Sequence, residues 1–373
     1  MQQEIIREND INILDDILAK YDSNKIFLVH GKNSYKNSGA ELFIANKFNN
    51  QLSSFSNFDV NPNSIDLQKG IELFNKGDYE LIIAIGGGSV IDMAKLISGM
   101  ATQPTEVENL IKGDIDFDNN NIDLMAIPTT AGTGAEATHF AVVYINKQKY
   151  SVSNDSILPK YVFLSPRFLI SASPYLIAVT GVDAMAQAME SQWSINANAK
   201  SEELSLEAFE MIWNNIEAAV IDNNENAKAK MLEASFIAGK AINITKTTAP
   251  HALSYFFTSY YGIAHGHAVG LSLAFFLKFN SEVTDVDCTL NKGSIDVKVR
   301  IRKLLEIMNA DENTAFDILN DFLKKIGLEL NINKLIGNID TKLMLRSINF
   351  ERLNNNPRRV SNDTIKDFLN TNN

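Results

Sequence analysis

The chain of 373 residues contains one cysteine, Cys288. It can form no intramolecular disulfide and no cysteine-based metal cluster, so any metal must be held by His, Asp, Glu or amide groups. Histidine is nearly as scarce, with five in all, and a grouping of histidines is therefore informative. No apolar run approaches the roughly 18 residues that a membrane span requires. The opening stretch MQQEIIREND is too polar for a secretory signal, and a cytoplasmic location is the expectation. No basic run stands out against a net charge of -11. Nucleic acid and anionic membrane are thus disfavoured as partners, and a small-molecule ligand is the default.

With 45% hydrophobic and 21% charged residues, the chain can bury a large core and is expected to divide into two domains. The first half alternates short β-rich runs (26 to 29, 81 to 85 and 124 to 128) with helical patterns such as VIDMAKLIS at 90 to 98. Alternation of this kind predicts an α/β domain with a parallel sheet, placed at 1–166. Beyond it, helical periodicity dominates at 173 to 195, 201 to 220, 226 to 245, 265 to 280, 296 to 308 and 311 to 326. Residues 167–373 are therefore expected to be all-α.

Two small-residue loops follow predicted strands. IGGGSVIDMAK (85 to 95) carries three glycines into a helix start, where backbone N–H groups and the helix dipole attract a phosphate. Its spacing is not GxGxxG, so it is not a standard Rossmann fingerprint. PTTAGTGAEAT (128 to 138) follows the next strand. Each could be a tight structural turn, but two at strand C-termini favour a ligand crevice.

Two further stretches carry metal-binding residue types. In GVDAMAQAMES (181 to 191), Asp183, Gln187 and Glu190 share one helical face among alanines and methionines. That face looks either into a polar cavity or into solvent. APHALSYFFTSYYGIAHGHAVG (249 to 270) holds His251, His265 and His267. If His251 and His265 converge with Asp183, they form a set suited to Fe(II) or Zn(II), with Gln187 as a weak, neutral fourth ligand.

These four motifs, in this order and spacing, resemble the iron-containing (group III) alcohol dehydrogenases over about residues 25 to 365. The resemblance implies an N-terminal dinucleotide-binding α/β domain and a helical C-terminal metal-binding domain, the architecture shared with dehydroquinate synthases. It implies a divalent metal and a nicotinamide in the cleft between them, and a homodimer. The family's usual ligands, one Asp and three His, map onto Asp183, position 187, His251 and His265. Gln187 departs from that pattern, as does Tyr255, which stands where a second His is frequent. DAMAQAMESQWS, TKTTAPHALSY and YYGIAHGHAV look most like the phosphonoacetaldehyde reductase branch, in which Gln is usual at this place. Glu190 is expected to support the site from one turn below.

On this resemblance, a metal-held aldehyde receives hydride from the nicotinamide, and His267 and Tyr255 are the candidates for returning the proton. Gly87, Gly88 and Ser89 are matched to the pyrophosphate, Thr129, Thr130 and Thr133 to the phosphate and ribose, and Lys149 to the nicotinamide ribose. Asn61 is matched to the adenosine half. After the first strand, where many members that use NADH carry an acidic residue, LVHGKNSYKNSG has Gly31, with Lys32, Ser34 and Lys36 nearby. No carboxylate there repels a 2'-phosphate, so NADPH is acceptable alongside or in place of NADH. A phosphonate substrate needs cations, and Lys246 is the first candidate, followed by Lys240, Arg358 and Arg359. The alternatives are a reductase of another short aldehyde, a dehydroquinate synthase-like lyase and a metal-free binding protein.

Overall fold

The computed structural model describes residues 3–48, 52–115, 122–146, 148–348 and 350–372. The chain divides into two compact units, Met1–Ala172 and Ser173–Asn373.

The first unit contains strands β1 (Glu4–Arg7), β2 (Ile26–His30), β3 (Ser53–Phe55), β4 (Leu81–Gly86), β5 (Asp123–Pro128), β6 (Phe140–Ile145), β7 (Gln148–Ser153) and β8 (Tyr161–Leu164). Its helices are α1 (Ile11–Leu18), α2 (Ser34–Asn37), α3 (Ala40–Phe48), α4 (Ser64–Phe74), α5 (Gly88–Met100) and α6 (Val107–Lys112). Six strands form one sheet in the order β1-β8-β5-β4-β2-β3, with every pairing parallel. Every residue of β4 and β8 is buried. That burial is why such strands read as unbroken apolar runs.

The predicted strands fall on β2, β4 and β5. The antiparallel β6–β7 hairpin escaped prediction because β6 buries only alternate residues and β7 is largely exposed. Strand β3, SSF, carries almost no apolar signal.

The chain winds from β2 toward β3 at one edge, and from β4 toward β5 in the opposite direction. In an open parallel sheet, such a reversal opens a crevice at the carboxyl ends of the strands. The register sets His30 opposite Ile85 and Gly86 opposite Pro128. Gly31 and both small-residue loops consequently leave the sheet at the same end.

The second unit is built from α7 (Pro174–Trp193), α8 (Ala199–Val220), α9 (Glu225–Thr245), α10 (Ala249–Tyr261), α11 (His265–Ser281), α12 (Ser294–Met308) and α13 (Ala315–Lys325). Four shorter helices follow: α14 (Ile332–Ile336), α15 (Thr341–Ser347), α16 (Phe350–Leu353) and α17 (Asn362–Thr371). Among the described residues this unit has no strand, only an isolated bridge between Cys288 and Arg358. No helix of the described residues is long and apolar enough to cross a membrane.

Helix α7 starts where the Ser173 side chain accepts the Leu176 N–H and Pro174 takes a position that needs no donor. From Gly181 to Trp193 all of its residues are buried, which settles the question of the polar face: it does not look into solvent. Helix α13 begins later than the periodicity predicts because the Asp311 carboxylate takes the N–H groups of Asn313 and Thr314 in a turn of its own. The histidine-rich motif is two helices, α10 and α11, parted at Gly262, whose φ of 70° suits glycine.

Helix α11 presses its first turn onto α7. A Cβ at Gly266 would stand 1.8 Å from the Val179 carbonyl oxygen and 3.0 Å from Asp183 Cβ. Gly266→Ala must push the helices apart, and we expect it to lower stability by about 1–3 kcal/mol or more. Gly270→Ala, whose nearest neighbour is the Val182 side chain at 3.1 Å, should cost less. Denaturant unfolding of the two variants checks the order.

Candidate metal centre and cofactor crevice

Asp183, Gln187 and Glu190 lie on one face of α7, and all three are buried. His251, on the first turn of α10, reaches this face with both ring nitrogens. Its Nε2 is 3.2 Å from Asp183 Oδ1, and its Nδ1 bonds Glu190 Oε1. His265, the first residue of α11, brings Nε2 to 3.9 Å from the same Asp183 oxygen. One donor atom from each of Asp183, His251 and His265 lies within 4.8 Å of the others.

Ligand atoms about 2.1 Å from a tetrahedral ion are about 3.4 Å apart. The observed spacings bracket that value, so one carboxylate oxygen and two imidazole nitrogens fit a first-row divalent ion. Gln187, one turn from Asp183, adds an amide to the same buried face.

Glu190 has none of its surface exposed, and both of its oxygens are used. Oε1 bonds His251, while Oε2 accepts from the Thr248 backbone N–H and, at 2.8 Å, from the Thr248 hydroxyl. That hydroxyl in turn accepts from Trp193 Nε1 at 2.9 Å. A carboxylate on Nδ1 holds the proton there and leaves Nε2 facing Asp183. Burial alone would push the His251 imidazole down, but Glu190 and Asp183 together raise it to about 10. Thr248 and Trp193 carry no chemical signal in the sequence beyond a threonine at the start of a helix, α10, that the periodicity does not predict.

The structure does not bring His267 to this cluster. Two residues along a helix point to nearly opposite sides, and the His267 ring bonds Glu329 O through Nε2 at 2.8 Å and Tyr175 Oη through Nδ1 at 3.1 Å. With both nitrogens engaged, and burial lowering its pKa, it is a structural imidazole. Tyr255 does reach the site: its ring stacks parallel to that of His265, with centroids 5.9 Å apart.

Arg358 is likewise committed elsewhere. Its Nε donates to Asp287 Oδ2 at 2.7 Å, one terminal nitrogen donates to Phe279 O at 2.6 Å, and the guanidinium lies over the Phe279 ring. Arg359 lies in the same segment, tied through its backbone N–H to Asp287 O, and the Lys240 ammonium lies over the Phe236 ring. Lys246 sits in the short link between α9 and α10, two residues before Thr248, with φ 57° and ψ 179°. A lysine rarely adopts that conformation, and such strain persists only where neighbours enforce it. Here Ser191 and Ser194 bond Thr245, and Glu190 bonds Thr248.

In the first unit, the residues matched to a cofactor are paired across the loops. The Asn61 N–H donates to Ser89 Oγ at 3.1 Å. A Cβ at Gly87 would meet Thr130 Oγ1 at 3.3 Å, and one at Gly88 would meet the Thr133 side chain at 2.7 Å. Gly31 packs on Ser34. Thr129 Oγ1 is buried and makes no hydrogen bond among the described residues. Lys149 lies on β7.

The family model described as "Iron-containing alcohol dehydrogenase" matches residues 2–166, and "Fe-containing alcohol dehydrogenase family, C-terminal" matches 177–373. The chain belongs to the iron-containing alcohol dehydrogenase family. It is 29% identical to long-chain-alcohol dehydrogenase 1 of Geobacillus thermodenitrificans over 57% of this chain and 54% of that protein. It is 28% identical to phosphonoacetaldehyde reductase of Streptomyces viridochromogenes over 78% of this chain and 75% of the relative. The matched stretch thus spans about half of one relative and three quarters of the other. Among solved structures, the sulfoacetaldehyde reductase of Bifidobacterium kashiwanohense in complex with NAD+ shares the fold, with a TM-score of 0.86, 24% identity and coverage of 100% and 99% of the two chains.

The His251 geometry sets a pH dependence for the metal-free protein. An imidazole titrating near 6.5 when unfolded and about 10 when folded contributes stability in full below pH 6.5, and loses it as pH rises through about 10. Denaturant unfolding of chelator-treated protein should show falling stability across that window. His251→Gln should flatten the slope.

Proposed function

We propose that this member of the family is a metal-dependent, NAD(P)H-linked reductase that converts phosphonoacetaldehyde to 2-hydroxyethylphosphonate. The observation that carries the reading is the Asp183, His251 and His265 donor set at ion-sized spacing, braced by Glu190. Asp183, Gln187, His251 and His265 would hold the ion, which we take as Fe(II), with Zn(II) as the alternative. The Gln187 amide oxygen is a poorer donor than imidazole, so a more weakly held ion is expected than with a third histidine.

When bound, the divalent ion supplies Lewis-acid polarisation of a carbonyl oxygen, and NAD(P)H supplies hydride. The chain's own residues do the positioning. The Glu190 carboxylate keeps the His251 proton on Nδ1, so the Nε2 lone pair faces the ion site. Tyr255, partly exposed beside His265, is the remaining candidate to deliver the proton to the product alkoxide. Gly87, Gly88 and Ser89 offer backbone N–H groups and a hydroxyl at the start of α5 for the pyrophosphate, with Thr129, Thr130, Thr133 and Lys149 around the ribose. Gly31 and Ser34 offer no carboxylate to a 2'-phosphate, which supports use of NADPH. Lys246 supplies the cation for the phosphonate. Similarity to the Streptomyces phosphonoacetaldehyde reductase supports this choice of aldehyde.

Oxidation of NADPH and NADH with a panel of aldehydes, with and without added Fe(II), tests the proposal. Turnover of phosphonoacetaldehyde should require metal and exceed that of acetaldehyde. Equal rates with acetaldehyde would favour the reductase of an uncharged short aldehyde, and no oxidation with any aldehyde would remove the reductase reading. Lys246→Ala should raise KM for phosphonoacetaldehyde by roughly tenfold, the worth of one charge-assisted bond, and leave KM for acetaldehyde unchanged. Gln187→His should raise metal content after dialysis; an unchanged content would take Gln187 out of the ion site.

A further inference from the structure

A phosphonate carries up to two negative charges on three oxygens, more than the one ammonium of Lys246 balances. Among the described residues of the helical unit, three lysine or arginine side chains are buried: Lys228, Arg300 and Arg352. Their surroundings separate them. Arg300 is committed to carboxylates and a carbonyl of its own chain, with Asp296 Oδ2 at 2.7 Å, Glu202 Oε1 at 3.4 Å and Ser194 O at 3.2 Å. Lys228 stands in the first turn of α9. At 1.5 Å per residue that is about 25 Å along the axis from the α9–α10 link, where Lys246 lies.

Arg352 is placed differently. It belongs to α16, which packs against α10, the helix of His251 and Tyr255. The chain turns directly after it, with the Asn355 N–H on Arg352 O and the Asn356 N–H on Leu353 O, both at 3.1 Å. Asn355 then clamps the α9–α10 link, its Nδ2 donating to Thr247 O at 3.0 Å. The same residue accepts the Ile195 N–H at 3.1 Å and Asn196 Nδ2 at 3.1 Å, just past the end of α7. Behind it, the buried amides of Asn356 and Asn280 bond each other at 2.8 and 3.1 Å. The segment carrying Arg352 is therefore fixed to the backbone that carries Lys246 and Thr248, and Glu190 fixes that backbone from the other side.

We propose that Arg352 is the second anchor for the anionic head of the aldehyde, donating from its guanidinium fork to phosphonate oxygens while Lys246 meets the remaining charge. A guanidinium suits a buried place better than an ammonium because it is less strongly hydrated and binds tetrahedral oxyanions through two parallel N–H groups. The inference rests on the reading of the substrate as a phosphonate.

The test uses Arg352→Met and Arg352→Lys in the metal-loaded enzyme. The ratio of kcat/KM for phosphonoacetaldehyde to that for acetaldehyde is measured by turnover, and binding of 2-hydroxyethylphosphonate by calorimetry at saturating dinucleotide. Arg352→Met should lower the ratio roughly tenfold or more and raise the dissociation constant of 2-hydroxyethylphosphonate by a similar factor, the worth of hydrogen bonds between charged groups. Arg352→Lys keeps the charge but loses the fork, and should fall between the parent and Arg352→Met. A folded Arg352→Met protein with both quantities within about twofold of the parent overturns the proposal. Equal losses on the two aldehydes also overturn it, because they leave the ratio unmoved and assign Arg352 to packing. Should Arg352→Met fail to fold, Arg352→Lys decides on the same readouts. A parent protein that does not favour phosphonoacetaldehyde and does not bind 2-hydroxyethylphosphonate overturns the substrate reading, and the proposal with it. A parent that does both, beside an Arg352→Met variant that does so equally, overturns the role of Arg352 alone.

Discussion

The helical unit depends on a single missing methyl group. Because residue 266 is glycine, α11 lies close enough to α7 for a Cβ to collide with the Val179 carbonyl oxygen. That approach sets His265, the neighbouring residue, 3.9 Å from Asp183. Gly181 works the same way on another side of α7, where a Cβ would meet Ile216 and Met231 of α8 and α9 at 2.6 and 2.8 Å. Helix α7 is thereby enclosed along its second half, and its carboxylates sit in surroundings that only a partner or an ion can balance.

Glu190 is what makes this burial tolerable. Each of its oxygens has partners, and the same contacts define the orientation of His251 and the conformation of the α9–α10 link. The link carries Lys246 in a strained backbone state, held between Thr245 and Thr248, both bonded to α7. One buried carboxylate therefore couples the tautomer of the His251 imidazole to the position of Lys246, two residues from its own partner Thr248. A divalent ion held by Asp183 and His251 would take the place of the proton between them, exchanging one positive charge beside the carboxylates for another.

What could be read from the chain followed from how local each feature is. Strands β2, β4 and β5 are buried on both faces and announce themselves as apolar runs, and the polar stripe of α7 follows from helical spacing alone. The hairpin β6–β7 is half-exposed, and its pairing with α5 through Asp92 spans 50 residues. His251 and His265 could be named, but their convergence with Asp183 spans 68 and 82 residues of chain and depends on Gly266. His267 lies two places from His265 on the same predicted helix and so points away from it, and its partners Tyr175 and Glu329 are 92 and 62 residues distant, where no local pattern signals them. Arg358 is a candidate cation by residue type alone, and the partners that engage it, Phe279 and Asp287, lie more than 70 residues upstream, where no local pattern signals them.

Both units keep ionised groups in their interiors where apolar side chains would be cheaper, and in both cases those groups stand directly behind residues assigned to a ligand. Glu190 backs His251, and Lys95, whose ammonium donates to Thr138 Oγ1, backs the loop at 129 to 138. A hydrophobic replacement could fill either volume, but packing is non-directional, whereas a carboxylate on Nδ1 or an ammonium on two oxygens fixes an angle. Directional bonds to buried charges weaken steeply when geometry drifts. The proposed donor set would have to meet an ion to within tenths of an ångström, and the proposed phosphate turn would have to admit a ligand against its backbone, and both need that stiffness. The buried charges therefore serve placement more than stability, and they account for the polar stripe among alanines and methionines in GVDAMAQAMES.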